Sequence, residues 1–320
     1  MARSSLSNVT VSDTPAGSHR PDVSGRPMTL GLILTLRPSQ WTKNFLVFAP
    51  LIFAVKLFDA VSLARSVAGF AVFCALSSVV YLVNDVMDRE ADRQHPTKRM
   101  RPIAAGEVPV RVAVATAVAI AAVALTAAFL LGWQFGAVSA GYLVLQTLYS
   151  GPLKHIVIVD VLTIAIGFVL RAIAGALVID VVVSHWLFVC TILLALFLAL
   201  AKRRHELVLL ADGARGHRPI LDEYSAYLLD QMIGVVTAST LISYIFYTIS
   251  PETEQKFGTS WLGLTIPFPL YGIFRYLYLV HRREGGGSPS DLLLNDRPLL
   301  ACVTLWVVAV VLIIYHPFVP

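Results

Sequence analysis

Residues 66–92 read SVAGFAVFCALSSVVYLVNDVMDREAD. From Ser66 to Asn84 there is no Asp, Glu, Lys, Arg or His, and then four acids arrive within eight residues. An uncharged run of that length suits a helix that crosses a bilayer, which needs about 20 mostly apolar residues. The rest of the chain agrees. It has 320 residues, 57% hydrophobic and 14% charged, with a mean hydropathy of +0.73. Soluble domains run near 45–50% apolar and about 25% charged. Those figures exclude a water-soluble enzyme, a disordered chain and a secreted disulfide scaffold. Cys74, Cys190 and Cys302 all lie in apolar runs and read as small core residues.

Outward from this stretch, nine segments qualify as spans, roughly 45–60, 66–85, 108–131, 135–150, 158–180, 186–201, 231–250, 261–280 and 299–316. The first and fourth are short. No period-2 alternation suggests a barrel, and backbone in lipid must satisfy its own hydrogen bonds. The expected fold is therefore all-α, a polytopic membrane protein of about nine transmembrane helices. Residues 1–28 are polar and rich in Ser, Thr, Pro and Gly, which predicts a disordered tail before a membrane domain over 29–320. Lys and Arg collect before the first span and between alternate spans, above all in 86–107 and 202–230. By the positive-inside rule those segments and the N-terminus are cytoplasmic, and the chemistry belongs on that face of the membrane. The net charge of +5 is thus a matter of topology and anionic substrates, with no nucleic-acid partner.

At the end of the second span, Asp85, Asp88 and Asp92 stand at i, i+3 and i+7, one stripe of a helix, with Asn84 beside them. Three carboxylates on a stripe repel each other and sit badly near a helix C-terminus. A cation must compensate. Hard oxygen ligands suit Mg²⁺, which binds through one or two carboxylates plus substrate phosphates. A plainer reading is a solvated helix end neutralised by Arg89 and Arg93. The following His95, Lys98, Arg99 and Arg101 form a basic loop that suits phosphate, although positive-inside loops look the same.

The pattern NDxxDxxxD formed by Asn84, Asp85, Asp88 and Asp92, set at the end of a second span, resembles the first signature of the UbiA superfamily of intramembrane prenyltransferases. The resemblance covers roughly residues 35–316. It implies a helical bundle whose polar cavity opens to the cytosol and to lipid, with Asp85, Asp88 and Asp92 holding Mg²⁺. Members that prenylate aromatic rings carry a second Asp-rich motif after the sixth helix. Here that place reads Ala201-Lys202-Arg203-Arg204-His205-Glu206, and only Glu206 is acidic. The stretches Leu36–Asn44, Arg101–Gly106, Leu153–His155 and Leu170–Gly175 are similar to one branch, the phosphoribosyltransferases that act on decaprenyl phosphate. That branch implies phosphoribosyl diphosphate as donor, a polyprenyl phosphate as acceptor, and a lipid-linked precursor of cell-wall arabinan as product. The catalytic group it implies is Asn84, Asp85, Asp88 and Asp92. The substrate-binding group is Lys43, Lys98, Arg99, Arg101, Tyr149, Lys154, Asp160, Arg171, Lys202, Arg203 and Glu206. The alternatives are an aromatic prenyltransferase and a transporter or non-catalytic subunit.

Arg171 lies inside the fifth span. A charge there costs about 2.5–3.5 kcal/mol on insertion scales, so it is expected to face a cavity and an anionic partner. Asp160, three turns earlier, falls on nearly the same face and would line the same cavity. Tyr149 reads more readily as an interfacial aromatic. Arg275 is a candidate for cavity lining, and Gly285–Gly287 for a flexible loop. A homo-oligomer is compatible with all of this.

Overall fold

The computed structural model describes residues 27–95, 97–211, 219–282 and 289–315. The tail before residue 27, Pro96, residues 212–218 of the 202–230 loop, residues 283–288 with the Gly285–Gly287 loop, and residues 316–320 lie outside them. The described residues contain helices and no strand. In chain order these are α1 (Met28–Leu36), α2 (Ala49–Phe53), α3 (Ala60–Met87), α4 (Arg89–Gln94), α5 (Pro102–Ala105), α6 (Val110–Leu131) and α7 (Trp133–Ser150). They continue with α8 (Val159–Val178), α9 (His185–Ala211), α10 (Ala226–Ile249), α11 (Pro251–Phe257), α12 (Pro267–Arg282), α13 (Pro289–Asn295) and α14 (Arg297–Tyr315).

Six of them, α3, α6, α8, α9, α10 and α14, are long and apolar enough to cross a membrane. The expected fourth span is the 18-residue α7, and the expected eighth is the 16-residue α12. The expected first span is not a continuous helix. Pro38–Phe48 form a 3₁₀ helix that runs into the five-residue α2. Pro50, in the first turn of α2, brings no N–H to a helix ladder. This broken segment still joins the two ends of the bundle. Arg37 just before it reaches Asp85, while the Leu51 and Ile52 carbonyls accept from the Tyr315 hydroxyl at the opposite end. The arrangement is compatible with nine passages.

Local sequence sets the helix limits. Asp59 caps α3 by accepting from the Ser62 amide, so the helix begins before the apolar run does. Gly132 alone separates α6 from α7, at a φ of 154° that a side chain would resist. On α6, Ala113, Ala117, Ala124 and Ala128 form the buried stripe that lies against α3 and α7, while Val118, Val123 and Leu130 point outward. Small residues inside and large apolar ones outside are what a lipid-facing helix requires, because helices in lipid associate through close packing.

The packing that positions the site centres on α3 and α8. α3 lies against α6, α7 and α8, and α8 joins α7 to α9. α9 in turn lies against α10. α3, α7, α9 and α12 end, and α6, α8, α10 and α14 begin, at the end of the bundle that carries the acidic motif.

Candidate active site

α3 gives out at Met87, and Asp88 stands between α3 and α4 with φ −88° and ψ 4°. Backbone bonding continues across the joint, from the Asp88 amide to the Asn84 carbonyl and from the Asp92 amide to the Asp88 carbonyl. The acidic stretch therefore stays close to helical. Residues seven apart fall within about 20° of each other on a helix. Asp85 and Asp92 share a face accordingly, and both are buried.

Their side chains converge on one nitrogen. Arg101 Nη1 lies 3.1 Å from Asp85 Oδ1 and 2.7 Å from Asp92 Oδ2. Arg37 Nη2 donates to the same Asp85 oxygen, and its guanidinium stands 4.9 Å from the centre of the Tyr81 ring. Asp88 turns elsewhere, to Lys154 Nζ at 2.7 Å. The three aspartates thus divide two and one, against the single ligand set expected. Among the described residues no three His, Cys, Asp or Glu side chains gather closely enough to hold a metal ion by themselves. The donor chemistry still fits a hard cation. Two buried carboxylates converge on a point where positive charge already sits, and a metal could take further ligands from a phosphate.

Arg89 and Arg93 do not neutralise the stripe. Both pair with Glu90, and Arg93 Nε also donates to the Ala104 carbonyl. The cations that do so are Arg37, Arg101 and Lys154, from three separate segments. In the basic loop, Lys98 is half-buried and Arg99 exposed. His95 Nδ1 accepts from the Thr97 and Lys98 amides. Partial burial and the neighbouring Lys98 lower the His95 pKa, which suits a neutral acceptor.

A second polar group lies where α7, α8 and α9 meet. Asp160 is fully buried and binds Arg203 Nε at 2.7 Å and the Tyr224 hydroxyl at 2.9 Å. Arg203, also buried, gives Nη1 to Glu206 and Nη2 to the Tyr149 hydroxyl at 3.0 Å. Lys202 pairs with Glu206 at 3.8 Å, one turn on. Desolvation and the Asp160 carboxylate push the Tyr224 phenol up to about 12, so it stays a donor. The Tyr149 hydroxyl thus serves Arg203, and Asp160 pairs with Arg203 and not with Arg171. Residues 149–154 bridge the two groups, since Tyr149 meets Arg203 and Lys154 meets Asp88.

Arg171 departs from expectation. Its nitrogens donate to Asn44 Oδ1 at 2.8 Å, the Gly167 carbonyl at 2.8 Å and the Tyr142 hydroxyl at 2.7 Å. It also stands 4.8 Å from the Tyr142 ring centre and 5.1 Å from that of Phe168. Neutral acceptors and ring faces carry the charge, with no carboxylate among its hydrogen-bond partners. Lys43 is half-buried one residue from Asn44 in the 3₁₀ segment. Arg275 makes a two-point pair with Asp296, which also caps α14 at the Leu299 amide. Arg37 is the residue of this site that the motifs did not single out; it lay unassigned inside the quoted Leu36–Asn44 stretch.

Residues 44–295 match the model of the UbiA prenyltransferase family. The chain belongs to that family. As a UbiA-family protein it is a multi-pass membrane enzyme of the transferase class. It is 34% identical over 290 residues to the decaprenyl-phosphate phosphoribosyltransferase of Corynebacterium glutamicum, covering 89% of this chain and 87% of that one. Against the enzyme of the same name from Mycolicibacterium smegmatis it is 35% identical over 299 residues, with 89% and 93% covered. Its fold is similar to that of a UbiA homologue from Archaeoglobus fulgidus solved with GPP and Mg²⁺, with a TM-score of 0.68 and 21% identity over 88% of this chain and 99% of that one.

Proposed function

We propose that this UbiA-family enzyme transfers the 5-phosphoribosyl group of phosphoribosyl diphosphate to a polyprenyl phosphate, decaprenyl phosphate among them, and releases diphosphate. The observation that carries the reading is the convergence of Asp85 and Asp92 on Arg101, with Arg37 on the same Asp85 oxygen and Lys154 on the neighbouring Asp88. A site so built suits a diphosphate leaving group. The relatives named for this reaction support the choice of donor and acceptor.

Mg²⁺ bound by Asp85 and Asp92, with Asp88 within the same stretch, would offset the charge that develops on the departing diphosphate. Arg37, Arg101 and Lys98 would hold the donor's phosphate oxygens, for which guanidinium geometry is well suited. Lys154 keeps Asp88 in place. The acceptor phosphate is already ionised, so no general base is required of the chain. The chain's work is to bring two anions together and exclude water around the anomeric carbon. Lys202, more than a third exposed, is the candidate for the acceptor phosphate. Arg203 is saturated by Asp160, Glu206 and Tyr149 and acts as a positioning residue. Arg171 sets Asn44 and Tyr142. The product is a lipid-linked pentose phosphate, which serves arabinan synthesis when the lipid is decaprenyl phosphate. The site faces the cytoplasm.

The test is labelled phosphoribosyl diphosphate, decaprenyl phosphate and Mg²⁺ with the purified protein, followed by lipid extraction. Label should enter the lipid phase in wild type and fall by at least about 100-fold in Asp85→Asn. Consumption of a prenyl diphosphate in place of phosphoribosyl diphosphate would establish an aromatic prenyltransferase instead.

A further inference from the structure

Asp85 and Asp92 are almost completely buried, with side chains 2% and 4% exposed. Two buried carboxylates on one face are costly without a counter-charge. Arg101 supplies it and differs from the acids in one respect: its own side chain is 26% exposed. It stands in extended backbone between the 3₁₀ turn Lys98–Met100 and α5, so it can leave toward water without moving a helix. Arg37, 25% exposed, holds only Asp85. The acids are enclosed, and the cation between them reaches solvent.

We propose that Arg101 is a tethered counter-ion that occupies the metal's place between Asp85 and Asp92, and that it yields only when metal arrives with a diphosphate. The inference rests on the metal role proposed above. A divalent ion alone must expel Arg101 and leave the guanidinium unpaired. A metal carrying a diphosphate offers the displaced guanidinium new oxygens to bind. Metal and diphosphate therefore bind together, and either one alone binds weakly. Arg101 acts here as a specificity residue: it admits substrates that carry their own metal-binding diphosphate.

The test uses the full-length protein in detergent and follows Mn²⁺ by electron paramagnetic resonance, with and without inorganic diphosphate. In wild type, diphosphate should tighten Mn²⁺ binding on the order of tenfold or more, a factor set by the net cost of exchanging one charge pair. In Arg101→Gln, Mn²⁺ alone should bind more tightly than in wild type, and the effect of diphosphate should shrink. Arg101→Lys, which keeps the charge but loses the planar guanidinium whose Nη1 meets both carboxylates, should lie between, and it serves if the glutamine variant does not fold. Variants that bind Mn²⁺ alone no more tightly than wild type would overturn the counter-ion role and leave the metal assignment standing. Wild type that binds no Mn²⁺ even with diphosphate would overturn both.

Discussion

Arg203 shows how far a residue's neighbours can lie from its sequence context. In the chain it is one of three consecutive bases and reads as a topology signal or a phosphate ligand. In the fold it is among the largest fully buried side chains, and its carboxylate partners come from α8 and from its own next turn. Removing one partner of a buried ion pair costs about 3–5 kcal/mol, because the other charge is left stranded. Arg203→Ala leaves the buried Asp160 carboxylate without its counter-charge, so the protein should lose stability at that scale. A thermal melt in detergent checks this, and Arg203→Lys should recover only part of the loss, since one ammonium cannot span Asp160, Glu206 and Tyr149. An unchanged melting temperature in Arg203→Ala would remove the structural role and restore a substrate role. The acidic motif was more legible. The i, i+7 spacing of Asp85 and Asp92 foretold their shared face. The turn of Asp88 toward Lys154 was not visible, because its partner stands 66 residues away. Arg37 escaped for the same reason, 48 residues before Asp85.

At the scale of elements, the broken first span is the largest departure from hydropathy, and α8 explains how it is accommodated. Gly175 lets α8 approach the backbone of the 3₁₀ segment so closely that a methyl group there would stand 2.2 Å from the Val47 carbonyl oxygen. Backbone cannot yield as a side-chain tip can, so the helix would have to move. That movement would also shift Arg171, one turn earlier, and its bond to Asn44 in the same segment. Gly175→Ala should therefore cost about 1–3 kcal/mol as an overpacking change and lower transfer activity. Gly141→Ala, at a helical site where a methyl group meets nothing within 4 Å, is the matched control and should be near neutral. Thermal melts and activity of the two variants side by side decide it; equal behaviour would mean that the 3₁₀ segment adapts freely. Hydropathy averages over a window, so it saw apolar residues at 45–60 and could not see that a 3₁₀ helix in close contact with Gly175, followed by the short Pro50-bearing α2, stands there in place of one continuous α-helix.

For the whole molecule, composition and apolar runs foretold an all-helical membrane bundle, since lipid leaves the backbone few other options. Span limits shifted by a few residues where caps such as Asp59 act outside the apolar run. What the bundle adds is polarity along its length. Asp85, Asp92, Arg101, Asp160 and Arg203 gather toward one end, and the short α11, with Glu252, Glu254 and Lys256, lies toward the other. The Lys and Arg distribution predicts that the first end is cytoplasmic. Single cysteines at Arg99 and at Glu254 test this in a background whose three native cysteines, Cys74, Cys190 and Cys302, are replaced by serine or alanine. Both positions are exposed and lie on opposite ends of the bundle. In intact spheroplasts a membrane-impermeant maleimide should label Glu254→Cys and leave Arg99→Cys unlabelled until the membrane is opened. The reverse pattern would place the acidic site outside, where it could not draw on cytoplasmic phosphoribosyl diphosphate, and would overturn the proposed reaction together with the orientation. Labelling of both positions in intact cells would mean that the two ends are not separated by a bilayer, and would count against the passage of α3 and α10 across it.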